Sequence, residues 1–325
     1  MAAMGRDVAV VLIAWNSAGY LPRCLQSLAA QKVDGGTVRL IAIDNASADD
    51  SARLLENAHP ERMIRNGANW GFAAAANQGI AASSSDYVLF LNPDVRLHEG
   101  YIENCVRALE AAGERFGSAT GTLYRASGFE MTPLPELDSR GIRMTRSGRH
   151  LDITTPSPER ARGWEEVFGV SGAAGVFRRS CLEDVAIEGQ PFDESFFAYR
   201  EDADLAWRAR LFGWRSLWAG DAIGWHVRRV TPEVRHKLPP EINMHSVKNR
   251  FLLRLKNQGP RLALAHAPWE LPRDLAVLAA TLTIERSSLP AWRWLWQHRA
   301  EIARRRARIQ SRRRVSDTEL ARWFQ

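Results

Sequence analysis

Residues 8–14 read Val-Ala-Val-Val-Leu-Ile-Ala, an uninterrupted apolar run rich in β-branched side chains. A run of that length and continuity cannot alternate between a core face and a solvent face. It therefore predicts a strand covered on both sides, as in a parallel sheet. Further runs predict strands at residues 38–43, 62–64 and 86–91. Between them, Leu21, Leu25 and Leu28 recur at helical spacing, residues 48–57 suit a second helix, and the Ala-rich stretch 71–82 can lie close on a sheet. Strand and helix alternating at this spacing predict an α/β chain with a doubly wound layer. The strand ends carry the polar residues Asn16-Ser17, Asp44-Asn45 and Asn92-Pro93-Asp94. Ligands of open α/β sheets bind at the carboxyl ends of strands.

The later sequence is less regular. From 113 to 163 Gly, Ser, Pro and Arg are frequent, and Asp138-Ser-Arg-Gly-Ile-Arg-Met144 suggests a hairpin or a substrate-covering excursion. Residues 168–177 form a small-residue strand segment. Glu201, Asp202 and Asp204 open a helix running to about Phe212 and stopped by Gly213. Strands are expected at 216–218 and 222–226. Beyond Pro239-Pro240 the composition turns helical, so the expected division is a body of residues 1–240 and a tail of 241–325.

Charge follows the same division. The net charge is +7, but the tail holds 17 basic and 7 acidic residues, which leaves the preceding 240 residues at −3. A near-neutral body argues against nucleic acid as the main partner. Cys24, Cys105 and Cys181 are far apart and odd in number, which suits reduced, buried thiols in the cytosol. Residues 8–14 are too short to span a bilayer, and 262–284 is interrupted by Pro268, Glu270, Pro272, Arg273 and Asp274. Trp292, Trp294 and Trp296 sit beside Arg293 and Arg299, ahead of seven arginines in 304–314. Such a tail suits the anionic surface of a membrane, with the protein cytoplasmic and peripheral on its cytosolic face. A helical face packed on the body or on a second copy, making a homo-oligomer, is the alternative. No Gly-Lys-Ser/Thr phosphate loop, GxGxxG or HExxH occurs, so phosphate-loop NTPases, dinucleotide oxidoreductases and zincins lack support.

Several acids could carry chemistry. Asp94 follows Asn-Pro at a strand end, where a carboxylate can hold a hard cation bridging diphosphate oxygens or can cap a turn. His226, also at a strand end, can complete such a site as a neutral imidazole or simply pack. Acids in the first turn after 200 favour the helix dipole, and Asp204 and Arg208 can pair locally. One of these acids can also take a proton from a hydroxyl. Asp44 suits an Asx-turn.

Five motifs occur in order: Ala14-Trp-Asn-Ser17, Ile43-Asp-Asn-Ala-Ser47, Asn69-Trp-Gly-Phe-Ala-Ala-Ala-Ala-Asn-Gln-Gly79, Phe90-Leu-Asn-Pro-Asp94 and Phe196-Phe-Ala-Tyr-Arg-Glu-Asp-Ala-Asp-Leu205, followed by His226. Over residues 6–257 the chain resembles the family 2 inverting glycosyltransferases, specifically their rhamnosyltransferase-like branch. The resemblance implies a GT-A fold, a nucleotide-sugar donor such as dTDP-rhamnose, a Mg2+ or Mn2+ ion, and a polysaccharide or lipid-linked saccharide acceptor at the cell surface. It implies Asp202 as the base, with Glu201, Gly172 and Ala173 on the acceptor side. Asp94 and His226 would hold the metal. Ala14, Asn16, Asp44 and Asn45 would meet the nucleotide, and Arg65, Asn69, Phe72, Asn77 and Asn92 the diphosphate and sugar. Asn92 departs from the family pattern, which has an acid at that position. That departure keeps an inactive nucleotide-sugar-binding subunit as an alternative, and the strand-end acids on an α/β sheet keep a nucleotidyltransferase as another.

Overall fold

The computed structural model describes residues 5–156, 163–228 and 240–325. The first half runs β1 (Val8–Ala14), α1 (Leu21–Ala29), β2 (Val38–Asp44), α2 (Ser51–Asn57), β3 (Arg62–Arg65), α3 (Gly71–Ala81), β4 (Tyr87–Leu91), β5 (Val95–Leu97) and α4 (Tyr101–Ala112). There follow β6 (Phe116–Ser127), β7 (Thr132–Ser139), β8 (Ile142–Met144), β9 (His150–Asp152), β10 (Trp164–Val167), β11 (Ala174–Arg178), α5 (Arg179–Val185), α6 (Glu201–Leu211) and β12 (Arg215–His226). The tail holds α7 (Pro240–Asn257), α8 (Pro260–Thr283), α9 (Leu289–Gln297), α10 (Arg299–Ser311) and α11 (Asp317–Ala321).

Among the described residues one ten-stranded sheet forms the centre, in the order β10-β12-β6-β11-β4-β1-β2-β3, with β5 on β12 and β7 on β6. Strands β3, β2, β1 and β4 are mutually parallel, and β11 enters antiparallel between β4 and β6. The parallel half is covered on both faces, which is why all seven residues of β1 are buried. Helix α3 lies close on that half because Gly79 stands against Val11, where a Cβ would collide with the valine side chain. Gly213 stops α6 with φ 84°.

Three expectations change. Residues 216–218 and 222–226 are one strand, β12, whose pairing with β6 shifts register between Trp218 and Ile223. The stretch 113–163 holds the long β6–β7 ribbon and the β8–β9 hairpin, beyond the single hairpin expected there. Residues 262–283 lie within the continuous helix α8, with Pro268 and Pro272 inside it. No helix among the described residues is long and apolar enough to cross a membrane. Cys24, Cys105 and Cys181 are unpaired and buried, and burial raises all three thiols well above their usual range.

The arginines of 304–314 meet acids and carbonyls of the body and of the tail itself. Arg305 pairs with Asp193, Arg308 with Glu188 at 2.5 Å, and Arg314 with Asp184 at 3.1 Å. Arg312 donates to the Ala186 carbonyl at 2.7 Å, Arg306 to that of Leu255 at 2.9 Å, and Arg313 pairs with Asp317 at 2.6 Å. Of the three tryptophans at 292–296, Trp292 donates to Thr281 Oγ1 at 3.0 Å and Trp294 stacks on His298, which leaves Trp296 exposed.

Candidate active site

Asp202 sits in the first turn of α6, and its carboxylate is gripped by backbone amides. Gly172 N–H donates to Oδ2 at 3.2 Å and Ala203 N–H to Oδ1 at 2.7 Å. Burial raises its pKa against those amide bonds, and the charge of Asp152 adds to the rise. Glu201 beside it is buried, its Oε2 has no hydrogen-bond partner, and burial with the Asp202 charge holds it well above the usual carboxylate range. Gly172 leaves space at this point: a Cβ there would sit 3.8 Å from both Asp202 Oδ2 and Phe72 Cζ.

The backbone leading into α6 is strained. Phe197, Tyr199 and Arg200 all have positive φ, of 64°, 69° and 74°. Non-glycine residues persist there only where their surroundings over-determine them. The tail supplies that constraint. Asn249 on α7, fully buried, directs its Nδ2 at the carbonyls of Phe196, Ala198 and Tyr199, at 2.8–2.9 Å. Asp204, one turn into α6, is buried and accepts from Arg208 at 2.9 Å, Asn257 Nδ2 at 2.7 Å and Lys256 Nζ at 3.0 Å. Lys256 and Arg305 also pair with Asp193.

Asp94 lies just past β4, where Pro93 interrupts the strand. Its buried Oδ1 has no hydrogen-bond partner and stands 3.5 Å from His226 Nε2 at the end of β12. The other face of the imidazole is fixed: Nδ1 lies 2.8 Å from Asp138 Oδ2. Burial works against a charged imidazole, but Asp138 and Asp94 outweigh it and raise His226 to about 9. Arg228 ties the group together, donating to Asp138 at 2.8 Å and to Asp152 at 2.7 Å. The orphaned Asp94 oxygen facing a ring nitrogen suits a divalent cation, whose binding would displace the imidazole proton. Among the described residues no group of three or more His, Cys, Asp or Glu could hold such an ion. A cation here would take its remaining ligands from phosphate and water.

On the other side, Asp44 is buried at the end of β2 and accepts from Ser47 N–H at 3.3 Å, three residues on and not two as an Asx-turn requires. Asn45 N–H donates to the Ala14 carbonyl at 2.8 Å. The Asn45 amide donates to Asn69 Oδ1 at 2.8 Å, and Asn69 Oδ1 also accepts from Gly71 N–H at 2.9 Å. Gly71 has φ 80° and lies against the Phe197 carbonyl, so only glycine fits. Asn16 holds its own loop, accepting from Ala48 N–H at 2.8 Å. Asn92 N–H donates to the Ala173 carbonyl at 2.9 Å, so the 172–173 turn joins the β4 end to Asp202.

The structure thus draws together Asp44, Asn45, Asn69, Phe72, Asn92, Asp94, Gly172, Ala173, Glu201, Asp202 and His226. Arg65 stands apart, over half exposed on the edge strand and paired with Glu56. Asn77 uses both ends of its amide on the backbone of Phe192, at 2.9 and 3.0 Å, and so staples α3 to the segment ahead of α6. Sequence reasoning had no role for Asp138, His150, Asp152, Arg228, Asn249 or Lys256. His150 is pressed down to about 3 by burial and by the charges of Arg200, Arg149, Arg228 and Arg250, which marks a cationic wall near Asp152. The one local signal was Asp138 at the head of a stretch suspected of covering substrate.

The sequence model of glycosyl transferase family 2 matches residues 9–185. The pre-mycofactocin glycosyltransferase of Mycobacterium tuberculosis is 29% identical over 229 residues, covering 69% of this chain and 43% of that protein. Glycosyltransferase AglE of Haloferax volcanii is 26% identical over 237 residues, covering 71% and 70%. The chain therefore spans less than half the length of the mycobacterial relative. Among solved structures, GalNAc-T7 with UDP, GalNAc and Mn2+ aligns with a TM-score of 0.60 at 13% identity, over 79% of this chain and 48% of that one. Mannosyltransferase PcManGT from Pyrobaculum calidifontis, in complex with GDP-Man and Mn2+, aligns with a TM-score of 0.54 at 17% identity, over 96% and 86%. The mixed sheet with its helical extension is a GT-A fold, and the chain belongs to glycosyl transferase family 2.

Proposed function

We propose that the protein transfers a sugar from a nucleotide-diphosphate donor to a hydroxyl of a growing surface glycan, with inversion at the anomeric carbon. The observation that carries this reading is Asp202: a carboxylate of raised basicity, fixed by two amides beside an open glycine and joined through Ala173 to the Asp94 end of β4. Asp202 takes the acceptor proton as the new C–O bond forms. Glu201, buried beside it, orients the acceptor. Asp44, Asn45 and Asn69 face the nucleotide, and Phe72 bounds the sugar. Asp94 and His226 would hold a Mg2+ or Mn2+ ion, which when bound neutralises charge growing on the leaving diphosphate. The Mn2+ held by both solved structures, GalNAc-T7 and PcManGT, supports testing that ion first.

Rhamnose from dTDP-rhamnose is the first donor to test, on the motif resemblance alone. The boundary at residue 240 separates the transferase unit from an extension that braces α6. A cytosolic position against the membrane suits an acceptor carried on lipid.

The test is a panel of dTDP-, UDP- and GDP-sugars offered to the full chain, with and without Mn2+ or Mg2+. One donor should release nucleoside diphosphate, and a chelator should abolish the release. Pyrophosphate release would instead mark a nucleotidyltransferase. Tight donor binding without turnover in the presence of acceptor glycans would mark an inactive subunit.

A further inference from the structure

Helix α8 is inside out. Its buried positions are Leu262, His266, Glu270 and Thr281, and Glu270 is held there by Arg254 at 3.2 Å and Gln258 at 2.8 Å. Asp274 also turns inward, to Arg254 at 2.5 Å. The outward face carries Leu264, Leu271, Leu275, Leu278, Leu282 and Ile284, which are 37–83% exposed. Between Arg261 and Arg286 no exposed residue is charged; the outward positions among the leucines are Ala, Pro, Thr and Trp269. A helix facing water places its polar stripe outward and its leucines inward. A continuous apolar face of this length marks a contact surface.

The charges around that face indicate what covers it. Arg261 and Arg286 are exposed at its ends and Arg146 on its flank, with Arg293 and Arg299 exposed on α9 and α10 that follow. Of the acids of α8 and its end, Glu270 and Asp274 turn inward to Arg254 and Glu285 is half-buried. Trp269, exposed on α8 itself, lies under an arginine, with the Arg146 guanidinium 5.0 Å over its ring; exposed Trp296 on α9 is likewise covered by Arg299 at 4.5 Å. A second copy packed antiparallel on this face would set Arg261 of one chain beside Arg286 of the other, like charge on like. An anionic lipid surface meets the same features without conflict, with leucines at the acyl boundary, tryptophans at headgroup level and arginines on phosphate. The helix lies along such a surface and does not cross it, since no described helix is apolar enough to span.

We propose that the outward face of α8, with its arginine rim, docks the protein on an anionic bilayer. The contact stands by itself; only its purpose, presenting Asp202 to a lipid-borne acceptor, rests on the transferase reading.

The experiment sediments the full chain with vesicles of phosphatidylcholine alone or with about one third phosphatidylglycerol. The wild-type chain should partition at least about tenfold more strongly onto the anionic vesicles, and salt should weaken the binding. Replacing Leu271, Leu275 and Leu282 by Glu should lower that partition at least about tenfold with little change in melting temperature, because all three side chains are more than half exposed. Arg286→Gln with Arg293→Gln should erase the anionic preference and serves as a second, milder variant. Equal binding to both vesicle types would overturn the proposal, as would binding that survives the triple change. A dimeric mass by light scattering that the triple change reduces to monomer would overturn it in favour of a second copy. Loss of donor turnover with vesicle binding intact would instead sink the transferase reading and leave the docking surface standing.

Discussion

Helix α6 buries ten of its eleven residues, whereas α8 buries four of twenty-four. The buried set of α6 includes Asp204, Arg208 and Arg210, and the exposed set of α8 is almost wholly apolar. Polarity alone would have placed both the other way. In α6 the charges go inside because partners converge on them: Lys256 and Asn257 from α7 reach Asp204, and the Phe168 carbonyl accepts from Arg210 at 3.0 Å. In α8 the acids Glu270 and Asp274 also go inside, to Arg254, but the leucines are left outside, uncovered by the described residues. Paired charge can fill an interior, and an unpaired apolar face calls for a partner beyond the fold.

If α6 is the chemical helix and α8 only a surface, substitutions in and around the two must differ in kind. The largest expected effect is at Asp202. Asp202→Asn can keep only one of the two amide contacts, since its Nδ2 donates, and cannot accept a proton, so transfer should fall by about 10²–10⁴-fold with donor affinity unchanged, as read by turnover and donor titration. Retained turnover would break the assignment of the base. Next, Asp204→Ala leaves buried Arg208 without its carboxylate partner and Lys256 with Asp193 alone, and should cost about 3–5 kcal/mol in urea unfolding. Asn249→Ala leaves three carbonyls of the strained 196–200 segment without their donor. It should cost about 1–3 kcal/mol and lower kcat more than donor KM, because the segment aims Asp202.

Glu201→Gln tests the buried acid through pH. Folded Glu201 binds its proton well above the usual value of 4.5, so the native state holds a proton that the unfolded chain has released. Stability from this group is full below pH 4.5 and declines as pH rises toward the folded pKa, by up to about 1.4 kcal/mol per pH unit. The Gln variant should flatten that part of the melting-temperature profile. The smallest effect belongs to α8, where Leu275→Ser should move the unfolding free energy by no more than about 0.5 kcal/mol. A larger loss would mean that its leucines pack within the fold.

The parallel half was legible because its information is local. Residues 8–14 read as a doubly covered strand from their own composition, and Asp94 stood out through the Asn-Pro step that ends β4. The ion pair between Asp204 and Arg208 also lies within one helical turn. What could not be read depends on partners far along the chain. Asp138 meets His226 across 88 residues, and Lys256 meets Asp204 across 52. The β6–β7 ribbon is Gly-, Ser- and Pro-containing strand whose pairing, not its composition, makes it a strand. The tail shows the same limit. Its arginine cluster suggested the membrane contact, but Asp184, Glu188 and Asp193 of the body engage most of that charge. Which face of α8 is left bare is decided only when α7 offers Arg254 to its acids.

The three cysteines make this chain unusually convenient to watch. Each thiol is enclosed and held protonated, so thiol-directed dyes have little to react with in the native protein. A single cysteine introduced at Leu271 or Leu282 would then be the one reactive handle, with no native residue to remove first. A polarity-sensitive fluorophore placed there would report, residue by residue and in real time, whether the bare side of the helix leaves water.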